Sequence, residues 1–413
     1  MTAAPEPPVV AVIGGGQLAR MTAQAAVGLG VPLRLLAEAE GVSAAQVVPD
    51  TVVGDYRDLD TLRRVVAGCA VVTFDHEHVP TEHLQALAAA GTPCRPGPAA
   101  LVHAQDKGVM RERLTALGVP CPRHRLVTTP EEVAAFAAEL GGTREPTATG
   151  EPDGTGPAPV VLKTTRGGYD GKGVWVVRDP AAGAVGSAAA FAAAAASGAR
   201  VLAEELVDFR RELAALVVRS PSGQVAAYPV VESVQRDGVC EEVVAPAPDL
   251  AEDLALEAQQ VAMRLAAELD VTGVLAVELF ETRDGRVLVN ELAMRPHNTG
   301  HWSIDGAVTS QFENHLRAVL DLPLGSPEAR APWTVMVNVL GGSHGALSEE
   351  LYAGYRHVFA RDPRLKVHLY GKAVVPGRKV GHVTAYGSDL EDVRRRARHA
   401  AAWFRGDLGE ESE

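Results

Sequence analysis

Short apolar runs alternate with stretches of helical periodicity over the first quarter of the chain. Three compact apolar runs cover residues 9–13, 33–36 and 71–74, which is the length and continuity of buried strands. Helical patterns fill the intervals, as between residues 17 and 29. Strands that alternate with helices are typical of a parallel sheet made of βαβ units, so we predict an α/β domain to about residue 104.

Two further apolar runs, residues 274–280 and 286–292, flank the pair Asp284-Gly285. This dipeptide is the strongest short signal for a β-hairpin. A two-residue turn there places Glu278 directly opposite Glu291, with Cβ atoms roughly 4.5 to 5.5 Å apart. Like charges in that arrangement need a compensating cation, and carboxylate oxygens suit Mg²⁺ that bridges nucleotide phosphates. We predict a metal site at the two glutamates, with ordinary exposed strand residues in salt bridges as the alternative.

Two glycine-rich turns have the composition of phosphate-binding sites. GGGQLAR at residues 14–20 joins the first apolar run to a helix and could present N–H groups to a phosphate, although a tight turn without a ligand is the alternative. The second turn, residues 164–173, follows the strand that carries Lys163 and contains four glycines and Lys172. No helix and no G-K-[ST] follow it, so it is not a Walker A motif. We predict that it folds over a triphosphate; a mobile hairpin loop is the alternative.

Several polar groups lie where a nucleotide could contact them. A helix predicted over residues 99–117 carries Lys107 and Arg111 one turn apart, for which a solvated basic face is the simpler interpretation. The strand at residues 201–207 leads into a segment whose backbone could contact a purine edge, and Glu212 on the next strand could accept from ribose hydroxyls.

Polar and basic residues also cluster beyond the hairpin. Four of them crowd onto a loop that directly follows the proposed metal ligands, so we expect them to face a substrate: Arg295, His297, Asn298 and His301. Three basic residues cluster near the end of this acidic chain: Lys372, Arg378 and Lys379. The cluster predicts an anion site, with a solvated basic turn as the alternative. Acids and histidines at residues 75–78 end a strand of the first sheet, where open α/β sheets bind ligands. They could contact a substrate, with capping of the next helix as the alternative.

Composition and charge narrow the classes of function. A chain of 413 residues suggests two or three domains, and a net charge of −13 argues against nonspecific binding to nucleic acid or to anionic membranes. The four cysteines have no C-x-x-C spacing, which argues against a disulfide framework and a zinc site. We see no basic leader and no apolar run of about 18 residues, so we expect a cytoplasmic protein. Residues 141–159 are Gly-, Pro- and Thr-rich and predict a flexible surface insertion.

Four motifs in this order resemble the N5-carboxyaminoimidazole ribonucleotide synthase family, the ATP-grasp carboxylating enzymes of purine biosynthesis: GGGQLARM, RGGYDGKG, NELAMRPHNTGHW and PGRKVGH. The resemblance covers the chain except residues 141–159. It implies an α/β and α+β protein with an ATP-grasp fold. The implied parts are a Rossmann-like (pre-ATP-grasp) domain at 1–104, an ATP-grasp domain at 105–325 with a mobile lid at about 124–203, and a small β-rich C-terminal domain at 326–413. A homodimer is also implied.

The resemblance further implies the reaction and its residues. ATP and bicarbonate would give carboxyphosphate, which supplies CO₂ to the amine of 5-aminoimidazole ribonucleotide. The residues implied to bind ATP are Lys107, Lys163, Gly168, Tyr169, Asp170, Gly171, Lys172, Gly173, Glu204, Glu205, Leu206, Val207, Glu212, Asn290 and Glu291, with Mg²⁺ on Glu278 and Glu291. Those implied to surround the ribonucleotide and bicarbonate are Gln17, Leu18, Glu77, Tyr169, Asp170, Arg295, His297, Lys372, Arg378 and Lys379. Tyr169, Asp170 and Lys372 are the implied catalytic residues, and Asp170 is our candidate to move a proton.

The chain departs from the family pattern at Gln235, Met294 and Val174, and the first of these puts one nucleotide contact in doubt. We expect Asn290 to point away from the two glutamates because side chains alternate along a strand. Two alternatives remain: another ATP-grasp ligase, such as formate-dependent glycinamide ribonucleotide transformylase, and a nucleotide-binding protein without turnover. The RGGYDGKG and PGRKVGH loops argue against the first. Retention of four residues argues against the second: Glu278, Glu291, Lys163 and Tyr169.

Overall fold

The first sheet is parallel, and its strands β1 and β4 are completely buried. The structure is a computed structural model that describes residues 7–141, 157–168, 171–180, 184–342 and 348–408. The strand order is β3-β2-β1-β4, and every residue of β1 and β4 is buried because helices cover the sheet. The predicted strands are confirmed, while the short, half-exposed strand β3 was not predicted. The elements are β1 (Val10–Ile13), α1 (Gln17–Leu29), β2 (Leu33–Ala37), β3 (Thr51–Val53), α2 (Leu59–Val66), β4 (Val71–Phe74) and α3 (Thr81–Ala89).

Two helices replace the single helix predicted over residues 99–117. They are α4 (Pro98–Gln105) and α5 (Lys107–Ala116), and Asp106 between them has extended backbone angles, φ −132° and ψ 109°. Its carboxylate accepts from the N–H groups of Gly108 and Val109 and so caps α5. The break places Lys107 at the first position of a helix, where its backbone N–H donates to the carbonyl of Thr165, 2.8 Å away.

A second, antiparallel sheet carries the central glycine loop between two of its strands. The strand order is β5-β8-β6-β7. Both β-runs predicted beside the loop are confirmed, and residues 142–156 of the predicted insertion lie outside the described part of the chain. The elements are β5 (His124–Val127), α6 (Pro130–Gly141), β6 (Val160–Thr164), β7 (Val174–Val177), α7 (Ala184–Ser197) and β8 (Val201–Glu205).

The third sheet joins the middle of the chain to its C-terminal part. Its order is β14-β13-β9-β11-β12-β15-β17-β16, and β10 pairs with β9. The pairing of β12 with β15 makes the C-terminal part an extension of one sheet. The elements are β9 (Phe209–Arg219), β10 (Val225–Ala227), β11 (Val231–Arg236), β12 (Val239–Ala245), α8 (Glu252–Glu268), β13 (Gly273–Thr282), β14 (Val287–Ala293), α9 (Ser303–Gly306), α10 (Gln311–Val319), β15 (Trp333–Leu340), α11 (Ser348–Arg361), β16 (Lys366–Leu369), β17 (Lys379–Gly387) and α12 (Leu390–Arg405).

Helix α10 joins the first sheet to the third. Leu316 and Val319 pack in one apolar cluster with residues of β1 and β2. His315 connects both sheets, since its Nε2 lies 2.7 Å from Thr73 Oγ1 and its Nδ1 accepts from the Val274 N–H at 3.1 Å. This packing brings the carboxyl ends of β1 and β4 toward the segment that follows β14. Within the residues that the structure describes, none of the helices has the length and apolar character needed to span a membrane.

Candidate active site

The two hairpin glutamates are paired as predicted, but the local backbone differs from the prediction. Glu278 lies directly opposite Glu291, and the register then shifts so that Leu279 pairs with Val289. Asn290 is therefore the extra residue of a β-bulge. The loop has three residues rather than two, because the Thr282 N–H donates to the carbonyl of Arg286, and Gly285 takes the left-handed conformation at φ 77°. The bulge offsets the longer loop and restores the opposition of the carboxylates.

The paired carboxylates have different charge environments. Burial, and then repulsion from Glu291, raises the pKa of Glu278 to about 8. Burial also acts to raise the pKa of Glu291, but the ammonium of Lys107, 2.6 Å away, outweighs it and lowers that pKa. Glu291 is thus held by a lysine, whereas no lysine or arginine of the described residues forms an ion pair with Glu278. A bound cation would stabilise this arrangement.

Asn290 faces this site, and the expectation that it points away is wrong. Its Oδ1 accepts from Lys163 Nζ at 2.9 Å, and the same ammonium lies 2.7 Å from Glu204 Oε2. The bulge is the physical reason, because an inserted residue breaks the strict alternation of side chains. Lys163, Asn290 and Glu291 therefore converge at one end of the hairpin.

Arg111 is fully buried below these groups, so a solvated basic face is the wrong interpretation. Its Nε lies 2.6 Å from Glu204 Oε1, and its guanidinium donates to the carbonyls of Val289 and Asn290 at 3.0 and 2.8 Å. Burial opposes ionisation of Glu204, but Lys163 and Arg111 outweigh it and lower the pKa of Glu204 to about 2. Arg111 fixes the backbone of the bulge, a role that its spacing from Lys107 could not reveal.

The central glycine loop is described only on either side of Tyr169 and Asp170. Those two residues, both predicted to be catalytic, lie outside the described part of the chain. Gly171 and Gly173 have left-handed φ angles of 75° and 74°, and a Cβ on Gly173 would lie 2.6 Å from Thr164 Oγ1. A Cβ on Gly168 would likewise meet the carbonyl of Lys172 at 2.7 Å. Glycine at these positions thus permits close backbone contacts on both sides of the loop, and the Lys172 side chain is exposed.

The residues predicted to contact adenosine lie at the end of β8, in the following connection and on β9. Glu205 at the end of β8 accepts from the Arg123 N–H at 2.9 Å, and Leu206 and Val207 follow it as half-buried connecting residues. Glu212 on β9 is half-buried, and its carboxylate makes no hydrogen bond or ion pair with any described residue. Burial raises its pKa to about 7, against the opposing effect of Lys163. A carboxylate without a protein partner fits the prediction that a ligand hydroxyl bonds to it.

Residues predicted to bind the ribonucleotide meet in pairs from distant parts of the chain. Gln17 Oε1 accepts from Lys372 Nζ at 2.5 Å, and Glu77 Oε2 lies 2.7 Å from Arg295 Nε. His297 Nε2 lies 3.4 Å from Glu278 Oε1. Burial, followed by the charges of Arg295 and Lys379, lowers the pKa of His297 to about 3, so its imidazole is neutral. These contacts join the segment after β4 to the segment after β14, and the start of α1 to the connection between β16 and β17.

The remaining predicted substrate residues differ in exposure. Leu18 is buried in the apolar cluster of Met21, Phe312 and Tyr370, so only its backbone could reach a ligand. Lys379 is half-buried at the start of β17, and its charge only partly opposes the rise that burial and Glu291 cause in the pKa of Glu278. Arg378 is exposed.

The first glycine turn is occupied by the chain's own carboxylates. Glu38 accepts from the Gly15 N–H at 3.1 Å, and Asp75 accepts from the N–H groups of Gly16 and Ala19 at 3.0 and 2.7 Å. A Cβ on Gly16 would collide with the Asp75 carboxylate. Internal packing therefore accounts for this glycine, as the ligand-free alternative proposed. Asp75, which sequence analysis placed among the possible ligand contacts, instead caps α1.

Comparison with known proteins covers the whole chain. Three family models match: the ribonucleotide synthetase preATP-grasp domain at residues 8–105, the ATP-grasp domain at 112–312 and the phosphoribosylaminoimidazole carboxylase C-terminal domain at 334–396. The N5-carboxyaminoimidazole ribonucleotide synthase of Mycobacterium bovis is 56% identical over 401 residues, which are 96% of this chain and 88% of that relative.

Solved structures agree with this assignment. Carboxyaminoimidazole ribonucleotide synthase from Aspergillus clavatus complexed with ATP is 32% identical with a TM-score of 0.83, covering 96% of this chain and 98% of that one. The enzyme of the same organism in complex with ADP and 5-aminoimidazole ribonucleotide is 30% identical with a TM-score of 0.81 and the same coverage. Identity and fold thus agree along the chain, which belongs to the N5-carboxyaminoimidazole ribonucleotide synthases, ATP-dependent ligases of the ATP-grasp fold in purine biosynthesis.

Proposed function

We propose that this chain converts 5-aminoimidazole ribonucleotide, ATP and bicarbonate into N5-carboxyaminoimidazole ribonucleotide, ADP and phosphate. The observation that carries the proposal is the opposition of Glu278 and Glu291 beside Lys107 and Lys163. Carboxylates and ammonium groups in this arrangement suit a nucleotide triphosphate and its metal ion. The Gln17 to Lys372 and Glu77 to Arg295 contacts lie on the side where a second substrate would enter.

Mg²⁺ fits the hairpin chemically. Glu278 and Glu291 are hard oxygen donors, and burial, followed by repulsion from Glu291, raises the pKa of Glu278. No group of three or more metal-ligating side chains occurs among the described residues. Mg²⁺ commonly takes only one or two protein carboxylates and completes its shell with phosphate oxygens and water. The chemistry that a bound Mg²⁺ supplies here is charge compensation at the phosphoryl oxygens.

We assign to the nucleotide-binding residues the roles that the family resemblance implies. Lys107, Lys163 and the loop from Gly168 to Gly173 hold the phosphates, Glu204 to Val207 frame the adenine, and Glu212 accepts from the ribose hydroxyls. The unpartnered carboxylate of Glu212 supports its role. Asn290 supports the nucleotide site through its bond to Lys163.

The second half of the site holds bicarbonate and the ribonucleotide. The residues assigned to it are Gln17, Leu18, Glu77, Tyr169, Asp170, Arg295, His297, Lys372, Arg378 and Lys379. Two of these are cations already paired with residues of the first domain, Lys372 with Gln17 and Arg295 with Glu77, which supports a site whose charges are positioned before substrate binds. Such pre-organised charge suits anionic reactants.

The reaction balances as two bond exchanges and one proton release. A bicarbonate oxygen bonds to the γ-phosphorus while the bond to the β,γ-bridging oxygen breaks, which gives carboxyphosphate and ADP. Carboxyphosphate then breaks its carbon to phosphate-oxygen bond and yields CO₂ and phosphate. The exocyclic amine forms a C–N bond to CO₂ and loses a proton, for which Asp170 is the proposed acceptor. A glycine loop closed over the site would exclude water from carboxyphosphate.

The family resemblance supports two further parts of the proposal, a homodimeric state and a cytoplasmic location. Sedimentation velocity at micromolar concentration tests the first. A monomer at that concentration would contradict it while leaving the reaction untouched.

The reaction is tested by ADP formation with Mg-ATP and bicarbonate, with and without aminoimidazole ribonucleotide. Incorporation of ¹³C-bicarbonate into the ribonucleotide identifies the product. Glu291→Gln should abolish turnover, whereas Glu268→Gln, at a half-exposed carboxylate paired with Arg113, should not change it. Consumption of ATP only with another acceptor, such as formate, would exclude the proposed substrate, and absence of any consumption would favour a binding protein.

A further inference from the structure

Gln311, at the start of α10, binds both backbone polar groups of His297. The Gln311 side chain is fully buried. Its Oε1 accepts from the His297 N–H at 2.8 Å, and its Nε2 donates to the His297 carbonyl at 2.7 Å. The two bonds fix the orientation of the amide, since each end has one permissible partner. The backbone of His297 is thus held as if by a neighbouring strand.

The same amide also fixes a second imidazole. Gln311 Nε2 lies 3.1 Å from His301 Nδ1, and because that nitrogen of Gln311 is a donor, Nδ1 of His301 is the acceptor. The side chain of His301 is fully buried. Gln311 therefore sets both the path of the loop at His297 and the tautomer of His301.

The loop is shaped around this amide. A Cβ on Gly300 would collide with the Gln311 amide, so only glycine leaves enough room. Ser303 Oγ accepts from the Gln311 N–H at 2.9 Å and donates to the Gly300 carbonyl at 2.6 Å. Backbone and side chain of Gln311 are both tied to the segment that follows the hairpin.

One polar atom of His297, the ring nitrogen Nε2, is not bonded to the loop or to Gln311. Its Nδ1 accepts from the Thr299 N–H and lies 2.8 Å from Thr299 Oγ1. The ring hydrogen then belongs to Nε2, which faces Glu278 at 3.4 Å. Each polar atom of His297 apart from Nε2 is bonded to the loop or to Gln311.

We propose that Gln311 is a positioning residue for the carboxylation reaction, and that it acts by holding His297 in the substrate site. The inference rests on the proposed function. It assigns no contact between Gln311 and a substrate, because the amide is buried behind the loop. Loss of the amide releases the His297 backbone and lowers the fraction of enzyme in which Nε2 faces the site.

Asn314, one turn further along α10, provides a matched control. It is also fully buried, and its amide clamps a backbone in the same way: Oδ1 accepts from the Gly325 N–H at 2.7 Å and Nδ2 donates to the Gly325 carbonyl at 3.1 Å. Nδ2 also donates to the Tyr228 hydroxyl at 2.9 Å. The clamped residue here is remote from the hairpin glutamates. A purely structural effect should therefore be common to both residues.

The experiment compares Gln311→Met with Asn314→Leu in full-length protein. Both variants should lower the melting temperature, but Gln311→Met alone should lower kcat/KM for the ribonucleotide by about tenfold or more, with KM for ATP within about twofold. In a His297→Asn background, Gln311→Met should have little further effect on kcat/KM, because the residue acts through His297. Gln311→Glu, which keeps the acceptor for the His297 N–H, is the second variant if the methionine protein does not fold.

Each outcome has a defined meaning. Equal kinetic losses in Gln311→Met and Asn314→Leu would overturn the positioning role, as would full additivity with His297→Asn. Wild-type protein that does not turn over the ribonucleotide would instead contradict the proposed function, and with it the positioning role of Gln311. An active wild type with unimpaired Gln311 variants contradicts the positioning role alone.

Discussion

Glu278 and Glu291 oppose each other because Asn290 is inserted into β14 as a bulge. Without the bulge, the three-residue loop would pair Glu278 with Asn290 and move Glu291 out of register. The inserted residue also brings its own side chain to Lys163, 2.9 Å away. One local irregularity thus produces both the carboxylate pair and its connection to the lysine predicted to hold phosphate.

Replacing Glu278 with glutamine should separate catalysis from stability. The change removes a half-buried carboxylate whose pKa is raised to about 8 by burial and by Glu291, so the metal-free protein should not be destabilised. Turnover should fall on the order of 100-fold or more, because a predicted metal ligand is lost. The checks are steady-state ADP formation and melting temperature with and without Mg²⁺. A variant that still gains the wild-type thermal stabilisation from Mg²⁺ and ATP would show that Glu278 is not a ligand.

Binding of nucleotide should release a proton near neutral pH if Glu212 contacts the ribose. Burial raises the Glu212 pKa to about 7, so the free protein is about half protonated at pH 7. Ribose hydroxyls that donate to the carboxylate favour its ionised form, and the released fraction should shrink as the pH rises above that pKa. Calorimetry of ADP binding in two buffers with different ionisation enthalpies measures the release.

Glu212→Gln is the control, since it removes the titrating group and leaves the phosphates of ADP unchanged. The difference between the two proteins should be about half a proton at pH 7. Identical proton release in wild type and variant would contradict the ribose role.

Local pattern was sufficient to predict much of this protein. Continuous apolar runs predicted the parallel strands. Asp284-Gly285 predicted the hairpin and, with it, the pairing of Glu278 with Glu291. These features depend on residues close together in sequence. The prediction of the glutamate pair was correct although the loop length and the register near it were both wrong, because the two errors cancel at that position.

Contacts between distant residues could not be predicted in this way. Asp75 caps a helix 56 residues earlier, and Arg111 pairs with Glu204, 93 residues later. A basic residue at helical spacing has the same local pattern whether it faces solvent or a buried carboxylate. The buried environment of Arg111 and the clamp made by Gln311 therefore follow only from the packed structure.

The glycine turn at the start of the chain should tolerate no side chain at Gly16. Its φ of −78° is open to any residue, so the cost is steric: a Cβ would collide with the Asp75 carboxylate. Gly16→Ala should lower the melting temperature and raise KM for the ribonucleotide, because the first turn of α1 carries Gln17. Gly28→Ala in the same helix meets no atom within 4 Å and should instead stabilise the protein by up to about 1 kcal/mol. Equal behaviour of the two variants would show that the Asp75 contact is unimportant.

Acidification should weaken the junction between the first and third sheets through His315. Burial lowers the pKa of this imidazole to about 4, while an unfolded histidine titrates near 6.5. Between these two pKa values His315 is protonated in the unfolded chain and neutral in the folded chain. The free energy of unfolding therefore falls as the pH drops from about 6.5 toward about 4. The contribution of this one group between pH 7 and pH 5 is about 2 kcal/mol. His315→Gln keeps a donor for Thr73 and an acceptor for the Val274 N–H but cannot titrate. Urea unfolding at pH 5, 6 and 7 should show a shallower pH dependence for the variant by this amount, and equal slopes would rule out His315 as an acid-sensitive contact.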